Sequence, residues 1–501
     1  MAAPFRYLLL FTGFSACAQF DSGALGGFVD YLRNDLGFST QDIGLVNAME
    51  YVLLPLASPL IPCLFKFLKV KIVLLLCLAG NMLGVCGLAA GPWMQQSGDS
   101  AFTLFLVSRA VSGMCHAGIA VYGSVWVDLH APKDQAASWL GAMQASSLVG
   151  LVIGYIIAGY SKDWVAVFCL NLLWFAATFL WLACAAPEHI GNTTAVAGGH
   201  RTESRVRLSF VSVPSGSFVN QADWSEEGPD AQTEDPAAHL VGSRSETETG
   251  APVENLPVYA LMALCVSSLF FVSGGLQFWA TPYMEQIRLK EISPSRSCTV
   301  DVQKDIHNLV VTLVAVITLT APTFGVFLGG SAVDSIGGYR GKSGRKALQL
   351  LAGGAAMAMA FGAVACFSTN FWLAVSCFWI FNMLGAALLP GAFGLMLSAV
   401  RPQRTSAASA IAQIPINLIG MAGGAYIPGW LTGCNTEELP NVRMCDADCD
   451  FALGLRSLLL GPVFGFLALI LALCLYRGPS EPAADRPPGG SECALGVQVQ
   501  D

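Results

Sequence analysis

Four ionisable side chains stand out inside segments that are otherwise apolar and long enough to cross a membrane. They are Asp21, Glu50, Arg109 and His116. A charge is costly inside a bilayer, so such residues usually pair with one another and mark a substrate or ion pathway. At about 1.5 Å per residue of helix, the first three lie at one depth, roughly 12–14 Å below the outer surface. Two acids and one base at one depth can pair, and we predict that they form one network facing a central cavity.

His116 lies about two helical turns beyond Arg109 on the same face of its helix. A cavity that descends past Arg109 would therefore reach His116 near the middle of the membrane. Asp21 and His116 are the candidates for taking up a proton, because burial and charged neighbours can move either pKa towards neutral pH. The alternatives are an ion pair that only holds helices together and a histidine that hydrogen-bonds a backbone carbonyl.

Long apolar segments must position these residues. The chain is 54% hydrophobic and 12% charged, whereas a soluble domain is about 25% charged, and it has no strongly basic surface for nucleic acid. A helix needs about 20 mostly apolar residues to cross a bilayer. The segments that meet this requirement are residues 7–30, 42–65, 71–92, 101–127, 136–160, 163–186, 257–285, 306–333, 347–368, 371–397, 405–432 and 453–476. The pattern predicts an all-α membrane protein with twelve transmembrane helices.

A polar stretch divides these segments into six and six. Residues 189–256 are rich in Ser, Thr, Glu, Asp, Gly and Pro, a composition typical of disorder. We therefore predict an N-terminal six-helix bundle at 1–188, a mostly disordered cytoplasmic loop at 189–256, a C-terminal six-helix bundle at 257–477 and a cytoplasmic tail at 478–501. Two equal halves are typical of transporters in which one bundle rocks against the other. Most Lys and Arg residues fall on the side of the two termini, which predicts that both are cytoplasmic. The plasma membrane and an endolysosomal membrane both remain open.

Three short motifs resemble the spinster-like family of the major facilitator superfamily. The stretch from Arg109 through Gly113 to Ala117 is similar to that family's Arg-x-x-x-Gly-x-Gly-Glu-Ala. The stretch from Gly275 to Pro282, which contains Gln277 and Trp279, is similar to its Gly-x-Leu-x-x-Trp-Ala-Pro.

The third motif is a turn between the eighth and ninth segments. Gly330, Asp334 and Gly337 match the superfamily's Gly-x-x-x-Asp-x-x-Gly turn, and Arg340 is among the basic residues that follow. The resemblance implies the major facilitator fold, with this turn as a conformational switch. It also implies relatives that move lysophospholipids, sphingoid lipids or other amphipathic molecules, often coupled to protons.

The chain departs from the family pattern at three places. The acidic, glycine-rich turn between the second and third segments is replaced by residues 65–69, and the family's Asp-Arg pair reads Asp21-Ser22. The family's glutamate in the fourth segment is His116. These departures leave the coupling mechanism and the lipid substrate open.

These observations favour a secondary active transporter of an amphipathic or small organic solute that works by alternating access, with protons as a candidate coupling ion. Asp21, Glu50, Arg109, His116, Gln277 and Trp279 are the candidate pathway residues. The alternatives are a transporter of a small polar solute, such as an amino acid or sugar, and a transport-inactive receptor or scaffold. No ATP-binding, metal-binding or catalytic motif is found, so we expect no enzyme activity, cofactor or metal. The expected partners are the substrate and membrane lipids, and we expect a monomer.

Four cysteines fall in predicted outer loops. They are Cys298, Cys434, Cys445 and Cys449. Because the non-cytosolic side can be oxidising, we predict two disulfides, one joining Cys298 to the second loop and one within that loop. Three pairings are possible and the sequence does not choose among them. The alternative is four free thiols in a reducing lumen.

Overall fold

The computed structural model describes residues 3–94, 98–130, 136–161, 163–186, 190, 255–292, 300–338, 343–400, 405–432 and 451–476. Helices of the first half are α1 (Ala3–Gly27), α2 (Val29–Asn34), α3 (Thr40–Ala57), α4 (Leu60–Phe67), α5 (Val70–Ala89), α6 (Gly98–His130), α7 (Ala136–Tyr160) and α8 (Trp164–Cys184). Helices of the second half are α9 (Leu256–Ile292), α10 (Val300–Ser335), α11 (Gly344–Phe367), α12 (Phe371–Ser398), α13 (Thr405–Pro415), α14 (Gly423–Thr432), α15 (Phe451–Ser457) and α16 (Leu460–Leu475).

The described residues form helices in each of the twelve predicted spans, and several spans consist of consecutive helices. The first span is α1–α2, the second α3–α4, the eleventh α13–α14 and the twelfth α15–α16. In the eleventh span a π-helical stretch, Ile416–Ala422, follows Pro415. Proline lacks the N–H that a regular α-helix needs, and π-bulges often mark functional positions. Among the described residues, eight helical segments are long and apolar enough to cross a membrane, and one of them is α15 and α16 taken together.

Two helices extend further than the sequence predicted. The loop between the seventh and eighth spans was predicted at 286–305, but α9 continues to Ile292 and α10 begins at Val300. Arg288 and Glu291 form an ion pair of 2.6 Å on the added turn of α9. Such i,i+3 pairs stabilise a helix beyond its apolar part, so hydropathy alone ended the helix too early.

Polar caps fix where several spans begin. The Ser39 side chain accepts a hydrogen bond from the Asp42 backbone, and the Asp42 side chain accepts one from the Ser39 backbone, which starts α3. Asp163 caps α8 and Asn370 caps α12 in the same general way. These side chains satisfy backbone N–H groups that a helix start leaves free. We call the side of Ala3 the inner side, as predicted from the Lys and Arg distribution; the three caps lie on the outer side.

Close helix packing in the N-terminal bundle depends on small residues between the first and fifth spans. Gly150 faces the backbone carbonyl of Ala16, and one turn further Gly154 faces that of Phe20. A Cβ atom at either glycine would overlap the α1 backbone. Glycine therefore allows α1 and α7 to approach each other backbone to backbone.

The C-terminal bundle repeats this arrangement between its own first and fifth spans. Gly420 faces the backbone carbonyl of Ser267, and one turn further Gly424 faces that of Phe271. The spacing is the same on both helices as in the first bundle. The two halves thus share this packing, in which Ala16 and Phe20 of α1 correspond to Ser267 and Phe271 of α9.

The two bundles meet at the outer ends of their helices. Gln41 donates a hydrogen bond to the Tyr426 hydroxyl at 3.1 Å, and the hydroxyls of Tyr155 and Thr281 bond each other. Gly44 lies against the backbone of Tyr426, where a Cβ would come within 3.1 Å of the Tyr426 Cα. The conformation is therefore closed on the outer side.

Candidate functional site

The Arg109 guanidinium connects the first, second and fourth spans. Its Nη1 donates to Asp21 Oδ2 at 2.9 Å, and its Nη2 pairs with Glu50 Oε2 and donates to Ser22 Oγ at 3.0 Å. Arg109 is wholly buried, with 0% of its surface exposed. Burying one charge alone in this setting would be costly, and the two carboxylates offset that cost.

Glu50 extends the network to His116. One carboxylate oxygen accepts a hydrogen bond from Ser22 Oγ at 2.8 Å, and the other lies 3.0 Å from His116 Nδ1. If both Asp21 and Glu50 are ionised, Arg109 balances one of them and a protonated His116 balances the other. With a neutral imidazole, the guanidinium and two carboxylates would leave one net negative charge. The network becomes neutral when it takes up one proton, so its composition suits proton binding.

A glycine on the fourth span brings the second span close enough for this pairing. Gly113 lies one turn after Arg109 and packs against the Glu50 backbone, where a Cβ would come within 2.8 Å of the Glu50 Cα. This contact aligns α3 with α6 at the depth of Arg109. The structure thus brings together the four ionisable residues that the sequence singled out. It adds Ser22, which sequence reasoning recorded only as a departure from the family's pair; its position next to Asp21 was the available signal.

A cavity of about 130 Å³ lies mainly within the C-terminal bundle. Side chains of α9, α10, α11 and α12 line it, joined by Leu148 and Leu151 of α7. Gln277 is among the lining residues, whereas Asp21, Glu50, Arg109 and His116 are not. The network, which was predicted to face a central cavity, is thus a buried cluster within the N-terminal bundle, apart from this cavity.

Trp279 does not line that cavity. Its indole Nε1 donates to the Ala425 carbonyl at 2.8 Å, and its ring packs beside Gly429. Only 1% of the residue is exposed. Trp279 thus ties α9 to α14 inside the C-terminal bundle, and its role as a pathway residue stays a prediction.

The turn after α10 has the backbone that its motif predicts. Gly330 and Asp334 lie in the last turns of α10, and Gly337 has φ of 92°, a left-handed conformation that favours glycine. The Gly337 N–H donates to the Asp334 carbonyl at 3.0 Å. Arg340 lies outside the described residues, as do the cysteines 298, 434, 445 and 449 and nearly all of the predicted loop 189–256.

The sequence pattern of the Major Facilitator Superfamily matches residues 11–297, more than half of the chain. The chain belongs to the Major Facilitator Superfamily. It is therefore an integral, multi-pass membrane protein whose fold is that of a transporter, with twelve helical spans in two bundles of six.

Solved structures share this fold at low sequence identity. A bacterial homologue of the human lysosomal transporter Spinster, inward-facing and occupied, is 15% identical with a TM-score of 0.60; the match covers 95% of this chain and 98% of that one. The D-xylose–proton symporter is 13% identical with a TM-score of 0.60 and coverage of 95% and 98%. The nucleoside transporter NupG is 11% identical with a TM-score of 0.55 and coverage of 93% and 98%. None of the curated protein sequences compared with this chain matches it.

Proposed function

We propose that this protein is a secondary active transporter that moves an amphipathic organic solute across the membrane by alternating access. The observation that carries the proposal is the chemistry of the cavity in the C-terminal bundle. Its lining is made mostly of Leu, Phe, Val and Ala side chains, and no charged residue is found among its described lining residues. Ligand sites of this kind bind an apolar body and use a few polar groups to orient it.

The polar groups of the cavity are few and are placed on neighbouring helices. They include Ser273 and Gln277 on α9, Thr318 on α10 and Asn382 on α12. The amide Nε2 of Gln277 is buried without a hydrogen-bond partner among the described residues. A buried donor left unsatisfied is costly, so an incoming hydroxyl, phosphate or carbonyl oxygen would be stabilised there. An amphiphile such as a lysophospholipid or sphingoid lipid, as the resemblance to the spinster-like family implies, supplies both parts.

The second candidate is a small polar solute, because a xylose symporter and a nucleoside transporter have the same fold. A sugar or nucleoside offers many hydroxyls, and each one loses hydrogen bonds to water on entering the site. A lining dominated by hydrocarbon replaces few of those bonds. The cavity therefore favours the amphiphile.

The two bundles have different parts in the proposed cycle. The C-terminal cavity holds the solute, while the Arg109 network holds the first, second and fourth spans of the N-terminal bundle together as a unit. Rocking of one such unit against the other would open the outer contacts around Gln41 and Tyr426. A proton on Asp21 or His116 would change the charge of the network, which makes it our candidate for the coupling site.

The proposal is tested by ligand stabilisation and uptake with a variant that fills the cavity. Gly385 lines the cavity, and a Cβ built there meets no atom within 4 Å, so Gly385→Leu adds volume without backbone overlap. Gly353→Leu is the matched control, because a Cβ at Gly353 also meets nothing within 4 Å and the residue is exposed. Purified protein in nanodiscs is heated with lysophosphatidylcholine, sphingosine, xylose or uridine. A ligand at 100 times its Kd stabilises by about 2.7 kcal/mol.

We expect one of the amphiphiles to raise the Tm of the native protein and of Gly353→Leu, but not of Gly385→Leu. Uptake of that amphiphile into proteoliposomes should follow the same order. Stabilisation by xylose or uridine alone would select the polar-solute alternative. An absence of uptake with every compound, despite binding, would favour a receptor or scaffold.

A further inference from the structure

A second cluster of ionisable groups lies where the bundles meet on the outer side. Asp30 belongs to α2, Glu285 to α9 and His307 to α10. His307 Nδ1 is 2.6 Å from Glu285 Oε1 and 3.8 Å from Asp30 Oδ2, while His307 Nε2 is 2.9 Å from the carbonyl oxygen of Gly159 on α7. Asp30 and Gly159 belong to the N-terminal bundle, so this outer cluster bridges the closed gate.

The hydrogen bonds determine how many protons the cluster holds. A backbone carbonyl only accepts, so Nε2 of His307 must carry a proton. Nδ1 then either carries a second proton and donates to the Glu285 carboxylate, or it accepts a hydrogen bond from a protonated Glu285. In both cases the pair binds one proton more than a neutral imidazole beside an ionised carboxylate. Without that proton, two lone pairs would face each other at 2.6 Å.

Opening of the gate removes two of the three partners of His307. Glu285 and His307 lie in the same bundle and can stay together, whereas Asp30 and Gly159 move away with the other bundle. The imidazole then loses the carbonyl that fixes Nε2–H and the second carboxylate that favours its positive charge. The Glu285 side chain is 4% exposed in the closed state, and separation of the bundles would expose it to the outer solution. The closed gate therefore holds the proton more tightly than the open gate.

Other titratable groups lie near the cluster and make contacts of their own. Arg33 lies one turn after Asp30 on α2, with its guanidinium over the Phe451 ring at 5.5 Å. On α7, the Tyr155 hydroxyl bonds Thr281 and the Tyr160 hydroxyl donates to the Asn308 carbonyl.

The remaining charged neighbours are exposed or have a charged partner of their own. Arg288, one turn after Glu285 on α9, pairs with Glu291. Lys304 and Asp305, next to His307 on α10, are exposed. The hydrogen bonds of Tyr155 and Tyr160 and the ion pair of Arg288 do not involve the proton between His307 and Glu285.

We propose that Asp30, Glu285 and His307 form a proton-binding site of the outer gate, so that an acidic outer solution favours the outer-closed conformation. The site lies apart from the Arg109 network, and its role rests on the proposed alternating access. Because binding and conformation are linked reciprocally, uptake of one proton on closure raises the ratio of closed to open protein by at most about tenfold for each unit of pH lowered.

The test measures the separation of the bundles at different pH values. Spin-label amino acids are encoded at Trp93 and Thr369, two exposed outer positions on opposite bundles, so the 16 native cysteines stay in place. Electron–electron distances are recorded in nanodiscs from about pH 8 to about pH 5.5, across the range in which histidine ordinarily titrates. The variants are His307→Gln and Glu285→Gln, and Glu291→Gln on the same helix is the control. Thermal unfolding of each variant checks that it is folded.

We expect the short, closed distance to gain population as the pH falls in the native protein and in Glu291→Gln. In His307→Gln and Glu285→Gln this response should fall at least threefold. The proposal is overturned if the native protein shows no pH response, or if both variants keep it in full. The distance measurement uses no substrate, so it does not depend on transport. A pH-dependent gate in a protein that transports none of the tested compounds would contradict the proposed function but not this inference. Uptake with a gate that ignores pH would defeat this inference alone.

Discussion

The two bundles share the packing of their first and fifth spans but differ at the position that follows it. In the N-terminal bundle Asp21 comes directly after Phe20, whose carbonyl faces Gly154. At the matched point of the C-terminal bundle Val272 comes directly after Phe271, whose carbonyl faces Gly424. Asp21 meets Arg109 at 2.9 Å, whereas Val272 lines the cavity.

This difference indicates a division of tasks within one repeated scaffold. A carboxylate at the matched position requires a cation, and the long Arg109 side chain that supplies it occupies the interior of its bundle. A valine requires no partner, so the C-terminal bundle can leave space for a solute. The predictions below change one side of this comparison at a time.

The largest effect is expected from Arg109→Ala. It leaves Asp21 and Glu50 buried without their cation, and breaking a buried pair in this way costs roughly 3–5 kcal/mol. We expect transport to be abolished and the free energy of unfolding to fall by that amount, measured by chemical denaturation and proteoliposome uptake. Arg288→Ala is the control, because its pair with Glu291 is partly exposed and is worth about 1 kcal/mol or less. Full activity with unchanged stability would remove Arg109 from the site.

Val272→Asp tests the matched position in the C-terminal bundle. It places a carboxylate in the C-terminal cavity, whose described lining residues include no cation. An acidic residue at the centre of a membrane helix costs about 2.5–3.5 kcal/mol, so we expect a loss of stability of this order and loss of the stabilisation by amphiphiles. Val272→Asn, nearly the same in shape as Asp but uncharged, should lose less. Equal losses in the two variants would show that shape rather than charge is decisive.

Matched glycine variants test the repeat itself. In Gly154→Leu and Gly424→Leu the new side chain meets the backbone of α1 and α9 respectively. Overpacking of this kind costs typically about 1–3 kcal/mol, and we expect similar losses of thermal stability in the two variants. Gly385→Leu, at which a Cβ has no neighbour within 4 Å, should lose less. Very unequal losses at Gly154 and Gly424 would contradict the equivalence of the two bundles.

The smallest effect on stability is expected from Asp21→Asn. The amide keeps one oxygen for Arg109, and Glu50 still balances the guanidinium, so we expect a change of about 1 kcal/mol. Its effect on coupling should be larger, because the variant cannot bind a proton at this position. Uptake is measured with and without a pH gradient. If Asp21→Asn responds to the gradient as the native protein does, Asp21 is not the coupling residue.

Depth along a helix was the part of the candidate site that could be predicted. The rise per residue is fixed by backbone hydrogen bonds, so the positions of Asp21, Glu50 and Arg109 within their spans followed from counting. The outer cluster was missed, because Glu285 and His307 lie at the ends of different spans and no spacing along the chain relates them. Ionisable residues just inside the ends of the first, seventh and eighth spans were the signal available.

Local features of the sequence predict the twelve spans, the division into two halves and the buried charges that need partners. Those features depend on the length of apolar segments and on the cost of a lone charge in a bilayer, which are local properties. Three features are visible only in the folded protein. Ser22 joins the Arg109 network, and the cavity lies in the C-terminal bundle. Asp30 and Gly159 contact His307 across the gate. These features depend on how helices rotate and how closely they approach, and that is fixed by side chains packing from distant parts of the chain.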